Sequence, residues 1–283
     1  MKSFLIGILN VFVLWLSLLL SSIIAATILA IPVEEVVDGP FTGGQAFLIV
    51  NAIHALVLTL IAQNSSLRGL SLAVLIAVTL FAAQSFLLLM EAFYFIDDLE
   101  ITRAVLLISA SHVLMTSIFC GLVSSFLWRS ELPVSEQKRI SNTQLVLRIL
   151  IISVLYVLAY FIAGYYIAWA SSEVQRYYHS FEQNINLLSL LAFQLLRGAL
   201  WGLLAFYMVN SLSGAKIKCG LIVASSFSAL AVTQLLYPSI YMPWTVRSIH
   251  MVEVGFSNFI FGFLAALILS YDKKDKLAIT DNL

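Results

Sequence analysis

Residues 70–95 read LSLAVLIAVTLFAAQSFLLLMEAFYF. From Leu70 to Met90 there is no charged side chain. At a rise of about 1.5 Å per residue such a run makes a helix of roughly 39 Å, longer than the ~30 Å hydrocarbon core of a bilayer. A buried helix of a soluble domain has no need of that length, so the stretch reads as a membrane span. Hydrocarbon offers no partner for backbone N–H and C=O groups, and this forces the span to be helical. Glu91 interrupts the run only near its end, beside the aromatic triplet Phe93-Tyr94-Phe95.

Seven further stretches have the same character, at about 4–31, 45–63, 104–128, 145–170, 185–211, 217–237 and 248–271. All five prolines (Pro32, Pro40, Pro133, Pro238 and Pro243) fall between stretches, where they break no intrahelical ladder. Over the chain 61% of residues are hydrophobic and 11% charged, against about 25% charged in soluble domains. The expected fold is all-α: a polytopic transmembrane helical bundle of about eight spans, forming one transmembrane domain over 1–283. Zero net charge gives no basic field for nucleic acid, and the partner expected from composition is the lipid bilayer. The apolar run 4–31 exceeds the 7–15 residues of a signal-peptide core and reads as an uncleaved first span. Cys120 and Cys219 read as small packing residues. No internal repeat is evident.

Orientation follows from the basic residues of short loops. With eight spans, one side collects Lys2, Arg68, Arg129, Lys138, Arg139, Arg148, Lys216, Lys218, Lys273, Lys274 and Lys276, and the other only Arg103, Arg176 and Arg247. That bias assigns both termini to the cytoplasm. The opposite loops are acidic, with Glu34, Glu35, Asp38, Asp97, Asp98, Glu100, Glu173 and Glu182. Aromatic groups at 93–95, 165–169 and 237–244 mark the outer boundary, as interfacial belts do. The polar loop from Arg129 to Gln144 reads as a solvated connector.

Ionisable groups inside spans are costly and mark function by default. Here they are Glu91, Arg197, His250 and Glu253, with His54 and His112 deeper and Asn51, Gln84, Gln194, Gln234 and Asn258 as neutral partners. Nearly all fall in the outer half of the membrane. Arg247, His250 and Glu253 step by three and share a broad helix face, and Gln194, Arg197 and Trp201 follow the same rule. Gln84 and Glu91 are seven apart and fall on one side of an α-helix. Converging stripes of this kind predict an outward-facing pocket built from Glu91, Arg197, Arg247, His250 and Glu253, with His54, His112 and Asn258 behind them.

Several chemistries fit those residue types. Arg197 and Arg247 suit a small anion or a lipid headgroup, since guanidinium pairs bidentately with carboxylate or phosphate; a permease or lipid-handling protein would follow. His250 and Glu253, three apart on one helix, could with Glu91 hold a divalent metal and activate a water for hydrolysis. His54 and His112 lie at matching depth, the arrangement of a haem axial pair. A third outcome is a structural or accessory subunit in which Arg197 pairs with Glu91 or Glu253 only to lock helices. The Gly198/Gly202 pair reads as a close helix contact of the GxxxG type.

Three segments together carry a resemblance: Met90-Glu91-Ala92-Phe93-Tyr94-Phe95; Gln194-Leu195-Leu196-Arg197-Gly198-Ala199-Leu200-Trp201; and Tyr241-Met242-Pro243-Trp244-Thr245-Val246-Arg247 running on through His250, Glu253, Ser257, Asn258, Phe259 and Gly262. They resemble an uncharacterised family of bacterial multi-span integral membrane proteins. That resemblance implies a bacterial cytoplasmic (inner) membrane location and no activity. Known intramembrane hydrolase signatures are missing. Glu34-Glu35 lacks the arginine four positions on that CAAX-type proteases carry, the last span has His250 alone where seven-span zinc amidases have His-x-x-x-His, and no Gly-x-Ser-x-Gly-like nucleophile of the rhomboid type occurs.

Overall fold

The computed structural model describes residues 2–31, 36–96, 101–129, 141–179 and 186–270. Eight long helices run through it: α1 (Lys2–Ile28), α2 (Gly43–Asn64), α3 (Gly69–Tyr94), α4 (Arg103–Leu127), α5 (Asn142–Ala168), α7 (Leu187–Ser211), α8 (Lys216–Leu236) and α9 (Trp244–Ser270). A short helix, α6 (Ser172–Tyr178), lies between α5 and α7. All eight long helices are apolar and long enough to cross a membrane, so the chain is a multi-pass, all-α membrane protein. Their starts follow local chemistry. Thr42 and Gln45 form a reciprocal capping box at α2, and the side chains of Thr102, Ser141 and Asn186 accept from the third residue on at α4, α5 and α7, satisfying N–H groups that a helix start leaves orphaned.

The expected spans match within a few residues, with the largest difference at the last. Its helix begins at Trp244, directly after Pro243, because proline is tolerated at the head of a helix. Glu34, Glu35, Asp97, Asp98, Glu100 and Glu182 of the acidic loops, Lys138, Arg139, Lys273, Lys274 and Lys276 of the basic side, and most of the 129–144 connector lie outside the described residues.

The helices form two four-helix units that pack alike. In the first, α1 packs on α2 and α4, α3 packs on α4, and α2 touches α3. In the second, α5 packs on α7 and α9, α8 packs on α9, and α7 touches α8; α7 also packs on α9, a contact without a comparable counterpart in the first unit. The third and fourth helices of each unit meet at a glycine. A Cβ on Gly121 of α4 would stand 2.3 Å from the Ala73 carbonyl oxygen of α3, and one on Gly262 of α9 would stand 3.1 Å from Ala224 Cα of α8. The units join where α2 faces α8 and α3 faces α7 and α8. At one end of this seam the α2–α3 and α7–α8 turns pair as an antiparallel bridge between Ser65 and Leu212. Ser66 N–H donates to Ser211 O at 2.8 Å and Ser213 N–H to Asn64 O at 2.7 Å, a pattern unchanged by exchange of the two turns. The sequence gives no sign of this duplication, because lipid-facing helices need only apolar residues outside and small ones at contacts.

Candidate functional site

At the other end of the seam, α3 carries Glu91. The helix contains a π-helical turn at Ala82–Phe86, an inserted residue that rotates everything beyond it and recurs at functional sites. The seven-residue spacing of Gln84 and Glu91 therefore does not hold as a common face, and Glu91 is turned toward α7 instead. There Arg197 Nη2 meets Glu91 Oε2 at 3.0 Å. Arg197 Nε donates to Leu87 O at 3.1 Å and Nη1 to Gln194 Oε1 at 3.0 Å. Its guanidinium also lies 5.7 Å from the ring centres of Tyr156 and Phe193. Arg197 can approach α5 so closely because its neighbour Gly198 has no side chain: a Cβ there would be 2.8 Å from Tyr156 Cβ and 2.9 Å from Ser153 O. The arginine side chain is 2% exposed and the glutamate 30%. The cation is thus sealed behind its partner, and the carboxylate has an open edge.

A second polar group stands on α9. His250 Nδ1 lies 2.5 Å from Glu253 Oε2, and Tyr178 Oη lies 3.1 Å from His250 Nε2. With Nδ1–H donating to Glu253, Nε2 accepts from the phenol and both ring nitrogens are partnered; the tautomer is assigned from the network. Glu253 Oε1 sits over Gly164, 3.6 Å from where a Cβ would be, and Gly164 opens a second π-helical turn, Gly164–Ala168, at the end of α5. Burial, then Tyr177, Glu91 and Glu253 in that order, raises the Tyr178 pKa, so its hydroxyl keeps its proton as a donor. Both carboxylates act on the one phenol, which puts the Glu91–Arg197 pair and the His250–Glu253 pair in a single electrostatic neighbourhood.

Tyr178 was not legible from the sequence because it belongs to α6, too short and too polar to register as a span. The available signal was Ser171, whose side chain caps the helix, with the Glu173–Arg176 ion pair behind it. Val174 packs with Ala168 and Val246 in a small apolar cluster of its own, and Tyr177 Oη donates to Tyr241 O at 2.7 Å. These contacts fasten α6 across the head of α9.

The remaining sequence candidates go elsewhere. Arg247 does not face His250 and Glu253 as its spacing suggests. Its Nη2 pairs with Asp38 Oδ2 at 3.0 Å and donates to Asp38 O at 3.0 Å, and Nη1 donates to Met242 O at 3.2 Å. Gly39, at φ +102°, lets the loop pass over Trp244 and Arg247, where a Cβ would meet them at 3.1 and 3.3 Å. The cause is position: Arg247 lies in the first turn of α9, within reach of the loop before α2. His54 bonds Thr233 Oγ1 of α8 at 2.7 Å, while His112 bonds Ser22 Oγ of α1 at 3.0 Å. The two imidazoles serve different helix pairs and are not arranged as an axial pair. Asn258 is buried with no recorded bond to the cluster. The metal set of His250, Glu253 and Glu91 is not assembled either, since Glu91 is committed to Arg197. Among the described residues no three His, Cys, Asp or Glu side chains gather as ligands.

Set against known protein families, curated proteins and solved structures, the chain matches none of them.

Proposed function

We propose that this multi-pass membrane protein binds a small polar molecule or a lipid headgroup in a pocket at the outward end of its bundle, acting in transport or lipid handling. The observation that carries the reading is an asymmetry of access. Glu91 on α3 and Glu253 on α9 each keep an exposed carboxylate edge, at 30% and 13% of the side chain, while the Arg197 cation behind Glu91 is sealed at 2%. An accessible anion on a sealed cation can meet a ligand, and Glu91 differs from Asp38, which is equally open against Arg247, in lying at the junction of the two units. The groups on offer are two carboxylates, the Tyr178 phenol and the stacked Tyr94–Phe193 rings, 4.5 Å apart. That set favours a ligand with an ammonium or several hydrogen-bond donors, because carboxylates and ring faces both attract cations. An anion has less to hold, since Arg197 already has three acceptors. A metal-dependent hydrolase is weaker because Glu91 faces Arg197 while His250 and Glu253 face each other, and among the described residues no three His, Cys, Asp or Glu side chains gather as ligands. The proposal seats the chain in a bacterial cytoplasmic membrane with both termini inside, supported by the bias of Lys and Arg toward the Arg68 side.

A thermal-shift screen of the purified protein tests the reading. Ethanolamine, choline, amino acids, inorganic phosphate and lipids of each headgroup class are the probes. At least one ammonium-bearing probe is expected to raise the midpoint, with the shift lost in Glu91→Gln and in Glu253→Gln. A shift that survives both substitutions would refute the pocket.

A further inference from the structure

Beneath the Glu91–Arg197 pair a groove of about 530 Å³ runs between α3 and α7. Leu87 and Leu204 are buried and form its floor, while Val74, Val78 and Leu203 are between 41% and 47% exposed and form its rim. Tyr207, at the inner end, is the one lining residue with a polar side chain. In a membrane bundle such a rim faces hydrocarbon, so the groove opens sideways into lipid. Apolar crevices toward lipid are ordinary in a bundle; the feature that sets this one apart stands at its head.

On α3 the groove follows Val74, Val78, Ala82 and Leu87, in steps of four, four and five, and one more step of four reaches Glu91. The step of five falls at the π-helical turn Ala82–Phe86, whose extra residue the stripe absorbs. In an unbroken α-helix the stripe would run through 82, 86 and 90 and leave Glu91 about 100° away from it. On α7 the stripe is Leu200, Leu204 and Tyr207, and one step of three outward from Leu200 is Arg197. Residues three or four apart stand one above another on a helix, so the ion pair caps both walls. Leu87 joins the two features directly, since its side chain lines the groove and its carbonyl accepts from Arg197 Nε at 3.1 Å. Arg197 is sealed and Glu91 is 30% exposed, so the charge accessible at the head of the groove is negative.

We propose that the groove seats one acyl chain of a lipid whose headgroup carries an ammonium, with that ammonium on the open edge of Glu91. From Val74 to Leu87 the groove covers about 20 Å of helix, and one leaflet of a ~30 Å hydrocarbon core is about 15 Å deep, so an extended chain lies within it. Contact with the aliphatic walls holds the chain through many small dispersion terms and is indifferent to headgroup. Glu91 supplies the selection. An ammonium gains a charge-assisted hydrogen bond there, whereas a headgroup with phosphate alone brings negative charge toward a carboxylate. One turn further out on the two helices, the stacked rings of Tyr94 and Phe193 add faces that attract a cation. Such a lipid reaches the site by lateral diffusion without leaving the bilayer. The inference rests on the pocket reading for its polar end and adds the class of molecule bound; the π-helical turn is what sets the carboxylate over the chain site.

The test uses the full chain in vesicles doped with phosphatidylethanolamine or phosphatidylglycerol carrying a diazirine midway along one acyl chain, with adducts mapped by mass spectrometry after illumination. Phosphatidylethanolamine should label residues 74–87 and 200–207 about tenfold more than phosphatidylglycerol does, the worth of one charge-assisted hydrogen bond. Glu91→Gln should bring the two lipids level. Val78→Trp with Leu203→Trp, both on the exposed rim and outside the packed core, should close the groove and remove its labelling by either lipid. Equal labelling by the two lipids in the wild type, adducts spread evenly over the other helices, or labelling unchanged in the tryptophan pair would each overturn the site. So would an unlabelled groove with Leu203→Cys forming dimers on oxidation that the wild type does not form, which would give the groove to a second copy of the chain. The thermal-shift screen on the same preparations separates the claims. A shift by free ethanolamine that Glu91→Gln abolishes, with labelling blind to headgroup, sinks the lipid site alone; headgroup-selective labelling that persists in Glu91→Gln sinks the carboxylate reading that both share.

Discussion

Arg197 shows how one side chain holds a site together. It takes acceptors from α3 and from its own helix and stacks near rings of α5 and α7, so its loss strands Glu91 and removes the side-chain donor from the Leu87 carbonyl. Breaking a buried pair from one side costs about 3–5 kcal/mol, and the partial exposure of Glu91 lowers that toward roughly 2 kcal/mol. Arg197→Met is expected to destabilise by about that amount, and Arg197→Met with Glu91→Leu by less, in denaturation measured in mild detergent. Equal and additive losses would mean the two groups do not interact. Tyr178 gives a pH test. Its raised pKa means the folded state holds the phenol proton more tightly than the unfolded state does. The stabilisation is therefore complete below the ordinary phenol value of about 10 and is lost as pH climbs beyond it. Comparing melting midpoints between pH 8 and 11, Tyr178→Phe should flatten the alkaline fall of the wild type. The sequence made Glu91, Arg197, His250 and Glu253 visible because charge inside an apolar run is conspicuous. It misassigned Arg247, because spacing by three states a shared face and says nothing of a loop folding back over the helix head.

Among the helices, local composition settles existence and direction, and glycines settle contact. Hydrophobic length alone identified all eight spans, whereas the two π-helical turns, Ala82–Phe86 and Gly164–Ala168, left no mark in the pattern. Such a turn is stabilised by what its helix packs against, and tertiary contact overrides local preference. Each lies next to one carboxylate of the site. The glycine contacts are easier to test. Gly121 abuts the Ala73 carbonyl, while Gly43 has open space where a Cβ would go. Gly121→Ala should force α4 off α3 and cost about 1–3 kcal/mol, as overpacking does, and Gly43→Ala should leave the unfolding midpoint unchanged. Similar midpoints for the two variants would mean that α3 and α4 are not in the contact described.

Over the whole molecule, two four-helix units meet along a seam closed at one end by paired turns and furnished at the other with carboxylates. Binding sites at the junction of structural repeats are a recurrent solution in membrane transport, and here the Glu91–Arg197 pair spans the junction, with one member from each unit. Nothing in the residue pattern announced the duplication, since a bundle can repeat its packing while sharing only small residues at a few contacts. The expected sidedness rests on loop charge alone, which is read during insertion and leaves a bias of Lys and Arg in the sequence. The outward pocket is tested most directly by a membrane-impermeant carbodiimide added outside sealed cells, with the modified carboxylates mapped by mass spectrometry. Glu91 is expected to react from outside, Glu253 to a lesser extent in keeping with its smaller exposed edge, and neither to need access from the cytoplasm. Modification that appears only when the reagent is admitted to the inner face would contradict an outward site.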